Sequence, residues 1–253
     1  MTSPVFRPLE PQRRAIVIGA SSGLGAALTR LLASQRYLVA AIARRESELA
    51  SLRDSIGREV VFPYVHDVTE YSQIPMLFER VTHDLGGLDL IIYSAAAQPP
   101  VALHEYDFAK DELMVRTNLL GAIAWLNQAA LRFERARSGH IVGISSIAGD
   151  RGRVANPAYN TSKAALDTYL EALRNRLSRH HVTVTTIKPG FIDTDLLKNA
   201  TKTFWVVSAQ EAAVQTYEAI RRRRQIAYVP PRWRVVSLAV RAMPSAIFRR
   251  LNF

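Results

Sequence analysis

No cysteine occurs among the 253 residues, which excludes disulfides and thiolate metal sites and leads us to expect a reducing, cytoplasmic setting and no bound metal. Long apolar runs are also missing: none approaches the ~18 uninterrupted residues of a membrane-spanning helix. The opening stretch MTSPVFRPLEPQRR has three prolines and no apolar segment of signal-peptide length, so residues 1–13 are expected to form an arm without regular structure. Acidic residues run out after Glu218. Nine arginines follow it (Arg221, Arg222, Arg223, Arg224, Arg232, Arg234, Arg241, Arg249 and Arg250), so this tail carries most of the net charge of +11. It contains no aromatic stacking platform of a nucleic-acid module, and a nucleic-acid partner is not expected.

What is present is a chain that is 48% hydrophobic, enough to bury a full core. From Arg14 onward, apolar runs of strand length alternate with amphipathic stretches of helix length. The runs fall at residues 15–18, 38–43, 60–64, 88–94, 140–144, 182–187 and 226–229. Helices are predicted over residues 23–34, 46–56, 74–84, 116–135, 159–179 and 209–222, with Pro75 and Pro157 near helix starts, where proline is tolerated. Near-continuous apolar strands alternating with helices predict one α/β domain over residues 14–231, a doubly wound sheet of seven parallel strands flanked by helices. A basic amphipathic helical segment, residues 232–253, follows it.

The first run leads into IGASSGLG, placing Gly19, Ser21, Ser22, Gly23, Leu24 and Gly25 where strand gives way to helix. Glycines there let backbone approach a pyrophosphate and aim free amides at it, the Rossmann arrangement for a dinucleotide. The second run ends in AAIARRESEL, without the carboxylate that would select a free ribose 2′-hydroxyl. Arg44 and Arg45 stand there instead, and guanidinium groups suit a 2′-phosphate, so NADP(H) is expected over NAD(H). Asp67 and Val68, after the third run, are candidate contacts to the adenine, although Asp67 could equally close a turn.

Two further stretches carry the chemistry. VGISSIAG follows the fifth run, and thirteen residues beyond Ser146 comes AYNTSK, with Tyr159 and Lys163 one helical turn apart on the same face. A cation ~4 Å from a phenol, at an effective dielectric near 20, favours the phenolate by roughly 4 kcal/mol before solvation losses. Such a phenol would be an acid/base closer to neutral pH. The Ser146 hydroxyl could hold a substrate oxygen beside it. A serine hydrolase is the poorer reading, because no G-x-S-x-G elbow is present.

Glycine loop, serine after the fifth run and Tyr-x-x-x-Lys, in that order, resemble the classical short-chain dehydrogenase/reductase family, over residues 14 to about 195. The resemblance implies a hydride transfer between NADP(H) and a small-molecule carbonyl or alcohol, in a homodimer or homotetramer. It assigns the catalytic set as Asn118, Ser146, Tyr159 and Lys163, with Asn118 supporting a water-linked proton path and Lys163 also holding the nicotinamide ribose. It places Ser94 and Ala95, and then Pro189, Gly190, Ile192 and Thr194 of KPGFIDT, against the cofactor. Two departures bear on cofactor affinity: Ile18 replaces the family's threonine before the loop, and YSAA replaces Asn-Asn-Ala-Gly after the fourth run. An idle nucleotide-binding or scaffold protein of the same fold is the alternative.

Leu196, Leu197, Phe204, Trp205 and Val206 are expected either to form an apolar lid over a lipophilic substrate or to pack the last helix on the sheet. In the C-terminal segment, Arg234, Ser237, Arg241 and Ser245 are expected on one helical face and Trp233, Val236, Val240 and Met243 on the other, with a break at Pro244. That helix suits either a peripheral contact with an anionic membrane at its inner surface or a contact with a second subunit.

Overall fold

In the computed structural model, which describes residues 13–199 and 203–250, the seven apolar runs pair side by side in one parallel sheet. In chain order the strands are β1 (Arg13–Ile18), β2 (Tyr37–Ala43), β3 (Val61–Val65), β4 (Leu90–Tyr93), β5 (Gly139–Ile144), β6 (Val182–Pro189), the short pair β7 (Ile192–Asp193) and β8 (Val207–Ser208), and β9 (Ile226–Val229). The helices are α1 (Gly23–Ser34), α2 (Glu46–Ile56), α3 (Ile74–Asp84), α4 (Phe108–Val115), α5 (Gly121–Ala136), α6 (Pro157–Leu177), α7 (Ala209–Arg221), α8 (Trp233–Ala242) and α9 (Ser245–Phe248). The main sheet runs β3-β2-β1-β4-β5-β6-β9, so the winding direction reverses between β1 and β4. A crevice opens at such a reversal, beyond the C-terminal strand ends.

The strands are apolar throughout because both faces are covered. Ala15 and Val17 of β1 join Val39 and Ala41 of β2 in a core shared with α1 and α7. Ile16 and Ile18 join Ala40 and Ile42 in the opposite core, shared with α3, α5 and α6. Pro63, which lacks an N–H, sits in β3, which pairs only with β2. Ile18, where the family's threonine would stand, is fully buried.

Helix α6 is set by its first turn. Asn156 takes the left-handed conformation (φ 51°) and its side chain accepts the Tyr159 N–H at 3.2 Å, while Pro157 opens the helix. Its buried stripe, Lys163, Leu166, Leu170, Leu173 and Leu177, lies on the sheet. Close approach requires Gly143 of β5: a Cβ there would lie 2.4 Å from a Leu170 methyl. Helix and strand therefore bring Tyr159 and Ser146 to the same edge of the sheet.

Three features depart from the sequence reading. Helix α4 was not predicted, and its chain continues through a π turn (Arg116–Leu120) into α5 instead of starting a helix at 116. Ser237 belongs with Trp233 on the inward face of α8, 4% and 2% exposed, and not on the arginine face. Its hydroxyl donates to Asp150 (2.7 Å) and pairs with the Tyr228 hydroxyl (2.8 Å), contacts that a helical wheel cannot supply. The outward face carries Val235 and Leu238, 71% and 59% exposed, flanked by Arg234 and Arg241. A break does occur at Pro244, between α8 and α9. Residues 1–12 and 251–253, part of the expected arm and tail, lie outside the described residues.

Candidate active site

A cleft of about 520 Å³ lies across the C-terminal strand ends and contains every expected cofactor contact, together with Ser146, Tyr159 and Lys163. One side is the glycine loop. Gly19 has φ +85°, and a Cβ there would lie 2.6 Å from the Ala95 nitrogen; a Cβ at Gly25 would lie 2.1 Å from the Gly19 carbonyl oxygen. Only bare backbone permits loop, helix and the β4 end to meet so closely.

Next to that loop, Arg45 donates to the Ser21 hydroxyl (2.9 Å), and Arg44 pairs with Asp67 at 3.5 Å while remaining largely exposed. Arg45 stands at the N-terminus of α2, where a cation opposes the helix dipole and makes no capping bond. Asp67 does close a turn, accepting from the Thr69 N–H (2.9 Å) and hydroxyl (2.8 Å). Burial pushes its carboxyl up, but the Thr69 bonds and the Arg44 charge outweigh this and hold it below the ordinary range.

On the other side, β5 ends in Ile144 and delivers Ser145 and Ser146, whose Oγ accepts from the Ala148 N–H at 3.1 Å. Burial holds the Tyr159 phenol above its ordinary pKa, against the downward pull of the Ser146 hydroxyl and the Arg153 charge. The Lys163 ammonium lies 5.7 Å from the centre of the Tyr159 ring and donates to the Ile144 carbonyl (3.0 Å). Burial lowers the Lys163 pKa to about 8, partly offset by Asp167. The close lysine–phenol pair expected from the spacing is thus not the dominant influence here: the i, i+4 relation fixes a shared face, but burial governs the phenol and the lysine's proton faces a backbone oxygen.

Asn118 is the expected site residue whose side chain does not reach the cleft. Fully buried in the π turn, it accepts from the Ala97 N–H (2.7 Å) and donates to the Ala97 carbonyl (3.0 Å) and the Ser162 hydroxyl (3.1 Å). It ties the chain after β4 to α6, next to the turn that bears Lys163.

Several cleft residues were not singled out from the sequence: His66, Gln98, Arg153 and Phe191. His66 stacks edge-on to Trp125 (5.6 Å), and burial lowers its pKa. Phe191 belongs to an aromatic cluster with Phe204, Trp205 and Trp233, with ring centres 5.1–5.7 Å apart. Leu196 and Leu197 line the cleft, whereas Phe204 and Trp205 join this cluster to α8, so the two halves of the expected lid have different surroundings. Below them, Lys188 donates to Asp167 (2.7 Å) and to Asp150. Arg151 donates to the Val240 and Met243 carbonyls (2.6 and 2.5 Å), so the loop after Ser146 grips the end of α8.

Residues 13–204 match the family described as short chain dehydrogenase. The chain belongs to that family. This short-chain dehydrogenase is 36% identical over 186 residues to an uncharacterized oxidoreductase of Myxococcus xanthus, covering 73% of this chain and 74% of the relative. Among solved structures, ElxO with NADP bound superposes with a TM-score of 0.78 at 19% identity, over 86% of this chain and 97% of that one. An actinorhodin polyketide ketoreductase with NADPH superposes with a TM-score of 0.75 at 24% identity, over 83% and 90%. These likenesses establish a Rossmann-type oxidoreductase fold for the chain.

Proposed function

We propose that this short-chain dehydrogenase uses NADP(H) to interconvert a small-molecule carbonyl and its alcohol, with Tyr159 as the proton donor and acceptor. The observation that carries the reading is the meeting of Ser146, Tyr159 and Lys163 at one wall of a cleft whose far end is a bare-backbone loop flanked by two arginines. The cofactor fits these residues: the Gly19–Gly25 loop would cradle the pyrophosphate, Arg44 and Arg45 the 2′-phosphate, and Ile192 and Thr194 the nicotinamide end. When bound, the nicotinamide supplies or accepts the hydride. The NADP and NADPH in the structural neighbours support this choice.

Tyr159 carries the proton step. Burial keeps the phenol protonated at neutral pH, the form that donates to the oxygen of a carbonyl as it gains charge during reduction. Ser146 positions that oxygen by a hydrogen bond. Lys163 backs the phenol with a charge that burial makes easy to discharge. The apolar side chains of Phe191, Leu196 and Leu197 favour a substrate with a lipophilic body. The test is NADPH oxidation with a panel of ketones, repeated with Tyr159→Phe. Retained cofactor binding with no turnover of any ketone by the unaltered protein would favour the idle scaffold instead.

The outward face of α8 adds a location to this reading. Val235 and Leu238 are flanked by Arg234 and Arg241, with no acidic residue in the segment. Two copies meeting through this face about a twofold axis would oppose like charges, whereas an anionic bilayer surface complements it. Among the described residues no helix is long and apolar enough to cross a membrane, so the contact would be peripheral.

A further inference from the structure

Arg153 is a charged cleft residue to which the reaction proposed above gives no task. It lies between Ser146 and Tyr159 in sequence, is half-buried, and lines the cleft with both. Its backbone is held to the catalytic helix, because the Asn160 side chain donates to the Arg153 carbonyl (3.3 Å) and to the Ala155 carbonyl (3.0 Å). The guanidinium acts electrostatically on the Tyr159 phenol, which places it on the same side of the cleft as that ring.

The protein supplies this cation with no ion pair among the described residues. The carboxylate that faces it, Asp150, is committed: its side chain is 2% exposed and receives Lys188, the Ser237 hydroxyl (2.7 Å) and the Tyr228 hydroxyl (3.4 Å). Burial of the guanidinium lowers its pKa, opposed by Tyr159 and Asp150. A partly desolvated cation without a partner is unfavourable until an anion arrives. Phe191, Leu196 and Leu197 give the same cleft apolar wall.

We propose that Arg153 determines substrate specificity by receiving a carboxylate, so that the preferred substrate is an oxo acid, or the corresponding hydroxy acid, with an apolar body. The planar fork of the guanidinium matches a carboxylate in two parallel hydrogen bonds. The carboxylate makes and breaks no covalent bond, and its contact orients the carbonyl toward Ser146 and Tyr159. The inference rests on the oxidoreductase reading, and its test has one arm that needs no turnover.

In that arm, protein saturated with NADP+ is titrated calorimetrically with 4-ethylbenzoate and with the neutral 4-ethylbenzamide. The acid should bind at least about tenfold more tightly than the amide, Arg153→Gln should erase the difference, and Arg153→Lys should restore part of it. Failure of the acid to bind, equal binding of both probes, or a preference that survives Arg153→Gln overturns the proposal. In the second arm, 4-acetylbenzoate and its methyl ester are compared as substrates with NADPH. The acid-to-ester ratio of kcat/KM should exceed about ten and fall toward one in Arg153→Gln. Arg153-dependent binding of the acid without reduction of any ketone would keep the anion site and refute the oxidoreductase reading. Ketone reduction with no acid preference would do the reverse.

Discussion

The ammonium of Lys163 and the carbonyl of Ile144 are joined by a 3.0 Å hydrogen bond that pins α6 to the end of β5. Burial lowers this lysine from 10.5 to about 8, so between those values the unfolded chain binds more protons than the folded one. Stability therefore rises with pH across that interval. We expect the cofactor-free protein to gain stability relative to Lys163→Met as pH climbs from about 8 to 10, by an amount on the order of 3 kcal/mol over the full interval. Urea unfolding of both proteins against pH checks this, and a constant difference would refute it.

Tyr159→Phe removes the proton but keeps the ring. Turnover of any accepted ketone should fall by about 10² to 10⁴, while NADPH affinity measured by fluorescence titration stays near its starting value. Turnover close to that of the unaltered protein would remove Tyr159 from the proposed role.

At the phosphate end, Arg45 is the arginine folded onto the glycine loop through Ser21, whereas Arg44 is paired with Asp67. Arg45→Ser should weaken NADPH by about tenfold or more and leave NADH little changed, since a charge-assisted contact contributes roughly 1.5–3 kcal/mol. An unaltered NADPH/NADH affinity ratio would show that this end of the cleft does not read the 2′-phosphate.

Gly143→Ala tests the packing that brings strand and helix together. The added methyl meets Leu170 at 2.4 Å, so α6 must shift or Leu170 must change rotamer. We expect a loss of about 1–3 kcal/mol in urea unfolding, and a fall in kcat larger than any change in cofactor affinity. Stability and kcat both within error of the unaltered protein would show that the helix has room to spare.

For α8, Val235→Glu with Leu238→Glu changes only the outward face, whereas ending the chain before α8 would also strip Trp233 and Ser237 from the interior. The double variant should lose co-sedimentation with anionic vesicles while its size in gel filtration is unchanged. A change in oligomer size with vesicle binding absent in both proteins would assign the face to a second subunit.

The seven strands and the glycine loop were legible because a sheet buried on both faces demands runs of apolar residues bounded by turns, whereas the order in which the strands pair was not read from the sequence. Helix α4 was not legible: of FAKDELMV only Met114 is buried, so no apolar stripe marks it. Its one signal was Asp107, whose side chain accepts from the Ala109 N–H at 2.9 Å. Ser146, Tyr159 and Lys163 could be found by spacing, yet the direction of the phenol's pKa could not, since burial depends on tertiary packing. Ser237 was misplaced for a related reason, because the partner that draws it inward, Asp150, is 87 residues away. Arg153 sits in a loop without periodicity, and its importance appears only when Asp150 is seen to be occupied.

The grip of Arg151 on the carbonyls of Val240 and Met243 has a bearing on biosynthesis. Although the serine, tyrosine and lysine are all translated well before Met243, the segment between Ser146 and Tyr159 reaches its final anchorage only after residue 243 has cleared the ribosomal tunnel.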